Sequence, residues 1–406
     1  MNSINYSKIR IRNKNYLQEL TKISKNSKLR AESKNNKVYK FSLSKDSVRE
    51  PYDLLSSIIL EIQLPDLETG YKWKENFIYK LINKIELVMN NDVIIEEFSG
   101  EFIYIQNYIN NQVKNQYYNQ LIGNNDNLIN NWNKKEKNTI YLPINFSALK
   151  KDNNINILGF QYTNLEILIK INNLINCIET NMELGMKNIN LNTNNFDINL
   201  ILKKNYLDGI ASRSLESMHF VTIIERVREY NFILDHKINL NNFNDRMKYI
   251  LFYLKSNENN NDIIDNVNLI QNVKLTFDNN QNLKLDFNSL SKLNFYQLFN
   301  IIPDQNIYLI NFISNLEDFN SAECPNGSLD LEIKFNQNTL EKIQKEKIRN
   351  FKNVFSKKNL PEEIIDHIKL FLDYSITGII KNYEIKFYFL NTYILINQNG
   401  ISGLQM

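Results

Sequence analysis

From residue 37 onward the chain repeats one unit: a short run rich in Ile, Leu, Phe and Tyr, then an Asn-rich polar break. Runs of this length, β-branched or aromatic and bounded by turn formers, read as strands. Leu54–Leu64 is the first clear one, stopped by Pro65. Ile82–Met89 and Val93–Phe98 flank Asn90-Asn91-Asp92, a spacing that predicts a hairpin with asparagine in the positive-φ turn positions. Further strands are predicted at Thr139–Phe146, Leu165–Ile171, Ile198–Leu202, His219–Val227, Met247–Leu254 and Val273–Phe277. Ile307–Ile313, Leu329–Phe335, Ile385–Leu390 and Tyr393–Asn397 complete the set.

Helices are few and lie between the strands. Glu101–Gln120 carries Phe102, Ile105, Tyr108 and Ile109 at helical spacing. Asp208–Ser217 and Leu290–Asn300 are short candidates, and Thr339–Phe355 and Pro361–Tyr374 form the clearest pair. The second of that pair opens on Pro361-Glu362-Glu363, a proline and two acids suited to a helix N-terminus. Many short strands with loops between them indicate a sandwich or barrel class rather than an alternating β-α architecture. At 406 residues the chain has room for two sandwiches of about 180 residues each.

Composition narrows the class. With 23 Phe, 22 Tyr and 43% hydrophobic residues the chain is not disordered overall. Two cysteines, Cys177 and Cys324, exclude a disulfide-built scaffold. No apolar run approaches the roughly 18 residues of a membrane span, and Met1–Arg12 lacks the apolar core of a signal peptide. The expectation is a soluble protein. Asparagine is in large excess, about 71 residues or roughly one in six. Ala, Gly and Pro are scarce, so A/T-rich coding explains the bias first; the Asn runs punctuate apolar segments and suit loops better than low complexity.

Charge is uneven. Residues 1–40 hold 11 Lys/Arg against Glu19 and Glu32, a net of +9, whereas the rest of the chain sums to −6. This leader is expected to be a basic arm that contacts nucleic acid, an acidic membrane face or an acidic partner. A tail without a partner and a transit peptide are the alternatives.

Catalytic patterns are missing. His219, His236 and His367 have neither the i, i+4 spacing nor the Cys partners of a zinc site. The cysteines form no CxxC, and there is no GxGxxG or GxxxxGK[ST] loop. Asn326-Gly327-Ser328 fits a glycosylation sequon but equally a tight turn before Leu329–Phe335. The pairs Glu96-Glu97 and Glu362-Glu363 are adjacent, so they do not face each other across a substrate. No catalytic residue, cofactor site or metal site is expected.

Several segments together resemble the double jelly-roll major capsid proteins of nucleocytoplasmic large DNA viruses. They are Ser47–Leu55 before the strand ending in Leu64-Pro65, the Trp73 to Tyr108 stretch, and Ile140-Tyr141-Leu142-Pro143-Ile144-Asn145-Phe146. Tyr206-Leu207-Asp208 and Phe243-Asn244 resemble the family's junction into its second jelly roll. Ile302-Pro303, Pro325–Leu329 and the Asn399–Leu404 ending resemble its late segments. Three features depart from the pattern: the basic Asn/Lys leader, the short chain, and an insertion at about 336–381.

The resemblance implies a mainly β chain of two tandem eight-stranded jelly rolls with short helical insertions. The expected domains are a basic arm over 1–40, one jelly roll over 41–212 and a second over 213–406. It further implies a structural virion protein, a major capsid protein whose homotrimeric, pseudo-hexagonal capsomers tile an icosahedral shell. Implied partners are itself, neighbouring capsomers and minor capsid proteins, with an inner membrane or acidic core components under the arm and no sequence-specific nucleic acid. The implied location is the virion, assembled in the cytoplasm of the infected host cell. Two alternatives remain: a minor capsid or internal scaffold protein on the same fold, and a carbohydrate-binding or hydrolytic β-sandwich.

Overall fold

The computed structural model describes residues 21–35, 37–44, 52–67, 70–110, 112–129, 138–152, 154–160, 162–180, 196–207, 220–243, 246–256, 268–276, 282–313, 322–323, 327–356, 375–398 and 401–405. Two compact units emerge: Met1–Val227 together with Thr392–Met406, and Arg228–Asn391.

The first unit begins with β1 (Thr21–Arg30), β2 (Ser33–Asn35), β3 (Val38–Ser42), β4 (Leu54–Gln63) and β5 (Tyr71–Trp73). Helix α1 (Phe77–Leu81) leads into β6 (Ile82–Met89) and β7 (Val93–Ser99), followed by α2 (Gly100–Ile109), α3 (Gln116–Leu121) and α4 (Asp126–Ile129). Then come β8 (Thr139–Ile144), β9 (Ile155–Asn156), β10 (Leu165–Ile171), β11 (Ile178–Thr180) and β12 (Asp197–Leu207). One sheet has the order β1-β12-β4-β8, with β9 on β4; the other runs β2-β3-β10-β6-β7. Strands β11 and β5 form a separate ribbon.

Both sheets are antiparallel and turn alternate residues inward, as the pleat requires. Ile58, Leu60 and Ile62 of β4 lie opposite Leu202, Leu200 and Ile198 of β12 on one side and Ile144, Leu142 and Ile140 of β8 on the other. All nine are buried. From the other sheet Phe41, Ile167, Ile169, Ile85 and Leu87 are buried to the same degree. The Tyr39 hydroxyl donates to the Phe196 carbonyl at 3.1 Å, and the Phe98 and Phe146 rings lie 5.1 Å apart, so the two sheets close on one core. Pro143 is accommodated because β8 ends the sheet and one side of it needs no donor.

Strand β13 (Phe220–Ile233) carries the chain into the second unit, which contains β14 (Lys237–Phe243), β15 (Arg246–Ser256), β16 (Ile270–Thr276) and β17 (Asn282–Asp286). A π-helical turn (Ser289–Leu293) runs into α5 (Asn294–Phe299), and β18 (Ile307–Asn311), β19 (Ala322–Glu323) and β20 (Gly327–Phe335) follow. Helices α6 (Gln337–Ser356) and α7 (Ile376–Lys381) precede β21 (Tyr383–Gln398) and β22 (Ile401–Gln405). One sheet is ordered β13-β21-β15-β18, with β19 on β15 and β22 on β21, and the other β14-β20-β16-β17. Their shared core includes Phe252, Tyr308, Phe387 and Phe389 from the first and Ile238, Val273, Leu275 and Leu331 from the second. The Phe252 ring stacks on Tyr308 at 5.1 Å and tilts against Phe387 at 5.4 Å.

The hairpin β6–β7 forms as the sequence predicts, with Asn90 (φ 54°) and Asn91 (φ 64°) both left-handed and the Asp92 N–H closing on the Met89 carbonyl at 3.3 Å. Three expectations need correction. Within the basic leader over 1–40, the described residues from Thr21 on are not an arm but strands β1 and β2 and the start of β3; β1 pairs with β12 from Thr21↔Leu207 to Arg30↔Asn199. Backbone hydrogen bonds make that strand, and Leu29 is its one buried apolar side chain among those described, so its sequence lacks a core-facing pattern. The helix expected over Glu101–Gln120 stops at Ile109. A second helix starts where the Asn115 side chain accepts from the N–H groups of Tyr117 and Tyr118 at 2.9 and 3.3 Å. The two final predicted strands are one continuous strand, β21, whose last residues, with β22, cluster with the first unit. Residues 1–20 and the helices expected at 208–217 and 361–374 lie outside the described residues.

Candidate functional site

Among the described residues, those that would carry chemistry are scattered. His236 is exposed, its ring edge-on to Phe335 at 4.8 Å. Cys177 is a free, buried thiol whose pKa burial pushes up to about 12, against the smaller opposing pull of Lys80 and Lys74. His219, His367, Cys324, Asn326 and the Glu362-Glu363 pair lie outside the described residues. Among the described residues no three His, Cys, Asp or Glu side chains gather where a metal ion could sit, and no helix is long and apolar enough to cross a membrane.

Glu96 and Glu97 diverge, as neighbours on one strand must. Glu96 turns inward with Phe98 and is buried. Its Oε2 accepts the Ser147 N–H at 2.7 Å, and its Oε1 accepts the Ser147 hydroxyl at 2.7 Å and the Ala148 N–H at 3.1 Å. These donors open the 3-10 turn Ser147–Asp152, whose free N–H groups are natural anion partners. The Ser147 oxygen in turn accepts the Glu225 N–H of β13 at 2.7 Å. One carboxylate thus ties β7, the segment after β8 and the start of β13 into a single buried network. It anchors chain segments and has no access to a substrate.

Glu97 turns outward onto a ladder of charges. Across β3, β10, β6 and β7, Lys40 pairs with Glu166 at 2.7 Å, and Lys170 pairs with Glu86 at 3.0 Å. Lys84 joins Glu86 at 3.1 Å and also contacts Glu97. Burial alone would lower the Lys84 pKa, but hydrogen bonds and charge from Glu97 and Glu86 outweigh it and hold it above its usual value. Glu86 and Glu166 are almost fully buried within this ladder. The alternation of Lys84, Glu86, Glu166 and Lys170 with Ile and Leu was a legible signal of a two-sided strand; which charges meet was not.

A second polar cluster supports the aromatic helix α2. The Asn107 amide donates to the hydroxyls of Tyr118 (2.8 Å) and Tyr79 (3.3 Å), and burial raises the pKa of both phenols. Gly100 opens α2 where no larger residue fits: a Cβ there would meet the backbone carbonyl oxygens of Tyr79 and Ile82.

Strand β1 carries a basic part of the described surface. Strand β1 lies at the end of its sheet, and Ile23, Ser24, Lys25 and Asn26 are all exposed, Ile23 to 61%. Lys203 of β12, opposite Asn26, is exposed as well. Lys28 pairs with Glu61, whereas Lys25, Arg30 and Lys203 have no ion-pair partner among the described residues.

The arrangement is thus surfaces and buried struts. Residues 24–208 match the family model described as major capsid protein N-terminus. No curated protein sequence matches the chain. Among solved structures, a chain of the PBCV-1 virus capsid quasi-atomic model superposes with a TM-score of 0.62 at 12% identity, over 95% of this chain and 97% of that one. PBCV-1 VP54, fitted into a reconstruction of the virophage Sputnik, gives 0.64 at 11% identity over 95% and 97%. The Faustovirus major capsid protein gives 0.60 at 8% identity over 93% and 90%. The double jelly-roll fold is therefore shared along nearly the whole chain, and the resemblance read from the sequence holds for the fold and, over 24–208, for the family match.

Proposed function

We propose that this chain is a major capsid protein, a structural and non-catalytic component of a virion. The observation that carries the reading is a double jelly-roll fold whose first half matches the major capsid protein N-terminus model. Two sandwiches in one chain make two similar wedges, so three copies make six around one axis. A pseudo-hexagonal homotrimer of that kind tiles a flat facet of an icosahedral shell. Lateral contacts between such blocks can be individually weak, because each block makes several at once. Minor capsid proteins would join the blocks, with assembly in the cytoplasm of the infected host cell.

The described surfaces suit this role. The charge ladder on β3, β10, β6 and β7 is compensated within the chain, which leaves a sheet face without net attraction for a stray ion. The basic region at β1 suits an inner membrane or acidic core component.

Light scattering and electron microscopy of the purified protein test the reading. The expected result is a particle near three times 48.2 kDa with a pseudo-hexagonal outline. A monomer overturns it, and open honeycomb sheets point to an internal scaffold on the same fold.

A further inference from the structure

We infer that two exposed apolar patches join neighbouring copies of this chain: α3 of one copy packs against the π-helical turn and α5 of the next. The inference rests on the capsid reading for the ring of three copies and adds the residues that form its seams.

Each patch lies on the helical segment that follows the end strand of a sheet. In the first unit β7 ends its sheet, and α2 and α3 come next; in the second β17 ends its sheet, and the π-helical turn and α5 follow. Tyr117 and Leu121 stand four residues apart on α3, so they share one side of the helix. Tyr117 is 81% exposed, and Leu121 is exposed as well. Leu293 and Tyr296, three residues apart where the π-helical turn runs into α5, form the matching pair, with Tyr296 58% exposed. Ile302, just beyond that helix, is 60% exposed. The inward sides of both segments are already filled, since Tyr118, Ile122, Phe295 and Leu298 are buried. The exposed set is therefore a second, outward one. Large apolar side chains grouped on an outward face mark an interaction surface, and tyrosine is among the residues that contribute most at its centre.

Charge decides the occupant. Each segment has an exposed lysine ahead of its apolar pair and an exposed aspartate twelve residues after that lysine: Lys114 and Asp126 on one, Lys292 and Asp304 on the other. Laid antiparallel, the two segments set Lys114 against Asp304 and Asp126 against Lys292, around an apolar centre. A second copy supplies this complement, whereas an anionic bilayer or a nucleic acid would meet an aspartate in either patch. The same order of charges also lets each patch pair with its own kind. A like-with-like contact closes at two copies, however, and a closed ring of three needs unlike surfaces. A stable interface covers about 800 Å² per partner and a covered aromatic side chain about 150–250 Å², so the patches are the centre of the seam rather than its whole extent.

Cross-linking of the full chain with a short bismaleimide tests the pairing. Lys114→Cys/Asp304→Cys should give covalent dimers and trimers beyond the background set by the parent's own cysteines. Lys114→Cys alone and Asp304→Cys alone should add nothing to that background. Tyr296→Ser, which removes no buried group, should raise the concentration at which copies assemble about tenfold by light scattering, and it carries the test if the double variant does not assemble. Cross-links in either single variant show like patches meeting and overturn the inference. So does a trimeric double variant that does not cross-link, or a Tyr296→Ser variant that assembles like the parent. Those results with a trimeric parent remove this inference alone; a monomeric parent removes the capsid reading as well.

Discussion

Glu96 and Ser147, 51 residues apart in sequence, meet inside the first sandwich through two hydrogen bonds of 2.7 Å, one to the serine N–H and one to its hydroxyl. The Ser147 oxygen passes the link on to the Glu225 N–H. A buried carboxylate is tolerated here because backbone and hydroxyl donors replace the water it lost.

Removing either partner should therefore cost more than the bond itself. Ser147→Ala removes the hydroxyl that donates to Glu96 Oε1 and that accepts the Glu225 N–H. Glu96→Gln sets an amide N–H₂ against N–H donors. Each is expected to lose about 1–3 kcal/mol in denaturant unfolding. The double variant should lose less than the sum, because both changes break one network.

Gly100→Ala should be among the most damaging single-methyl changes in the first unit. Its Cβ would lie 2.6 Å from the Ile82 carbonyl oxygen and closer still to that of Tyr79, and both contacts are backbone. A loss of about 3 kcal/mol is expected, with a Tm drop of about 6–12 °C by calorimetry. A variant with the parent's Tm would show that α2 starts elsewhere.

The Lys84 pKa is raised above 10.5 in the folded chain by Glu97 and Glu86. A raised basic group contributes stability that is full below its unfolded value and lost as pH rises through its folded value. The Tm difference between the parent and Lys84→Met should thus be constant near neutral pH and shrink above about pH 10.5. In Glu86→Gln, which removes one of the two acids, the difference should be smaller and should be exhausted at a lower pH.

Cys177 should resist alkylation in the native protein. Its thiol is buried and pushed up to about 12, so at pH 8 almost no thiolate is present. Peptide mapping after iodoacetamide treatment should find Cys177 unmodified until denaturant is added. Because folding raises this acid's pKa, its contribution runs the same way as that of Lys84. Stability is intact below the unfolded thiol value near 8.5 and declines as pH rises toward 12.

The strands of the two cores were legible because burial on one face writes a period of two into the sequence. Ile58, Leu60 and Ile62 display it, and so do Ile167 and Ile169. The β6–β7 turn was legible for a different reason: asparagine accepts left-handed backbone, and two in a row between apolar runs have few other uses. Strand β1 was not legible, since its one core contact is Leu29. The break between α2 and α3 was hidden because Gln and Asn continue a helical pattern without opposing it, until the Asn115 side chain caps a new start. The Glu96 network was hidden for the same kind of reason, since nothing in Glu96-Glu97 says which acid turns inward.

By itself, then, the sequence determined the class: many short strands, two cores' worth of apolar residues, asparagine-rich turns and no catalytic constellation. Burial and turn chemistry act through side chains, and side chains are what a sequence states. Tertiary structure alone decided that Thr21–Arg30 joins β12, that β21 runs unbroken and that its end clusters with the first unit. Those choices rest on backbone hydrogen bonds between segments far apart in the chain. Such bonds are nearly blind to residue type, so only the assembled sheets reveal them.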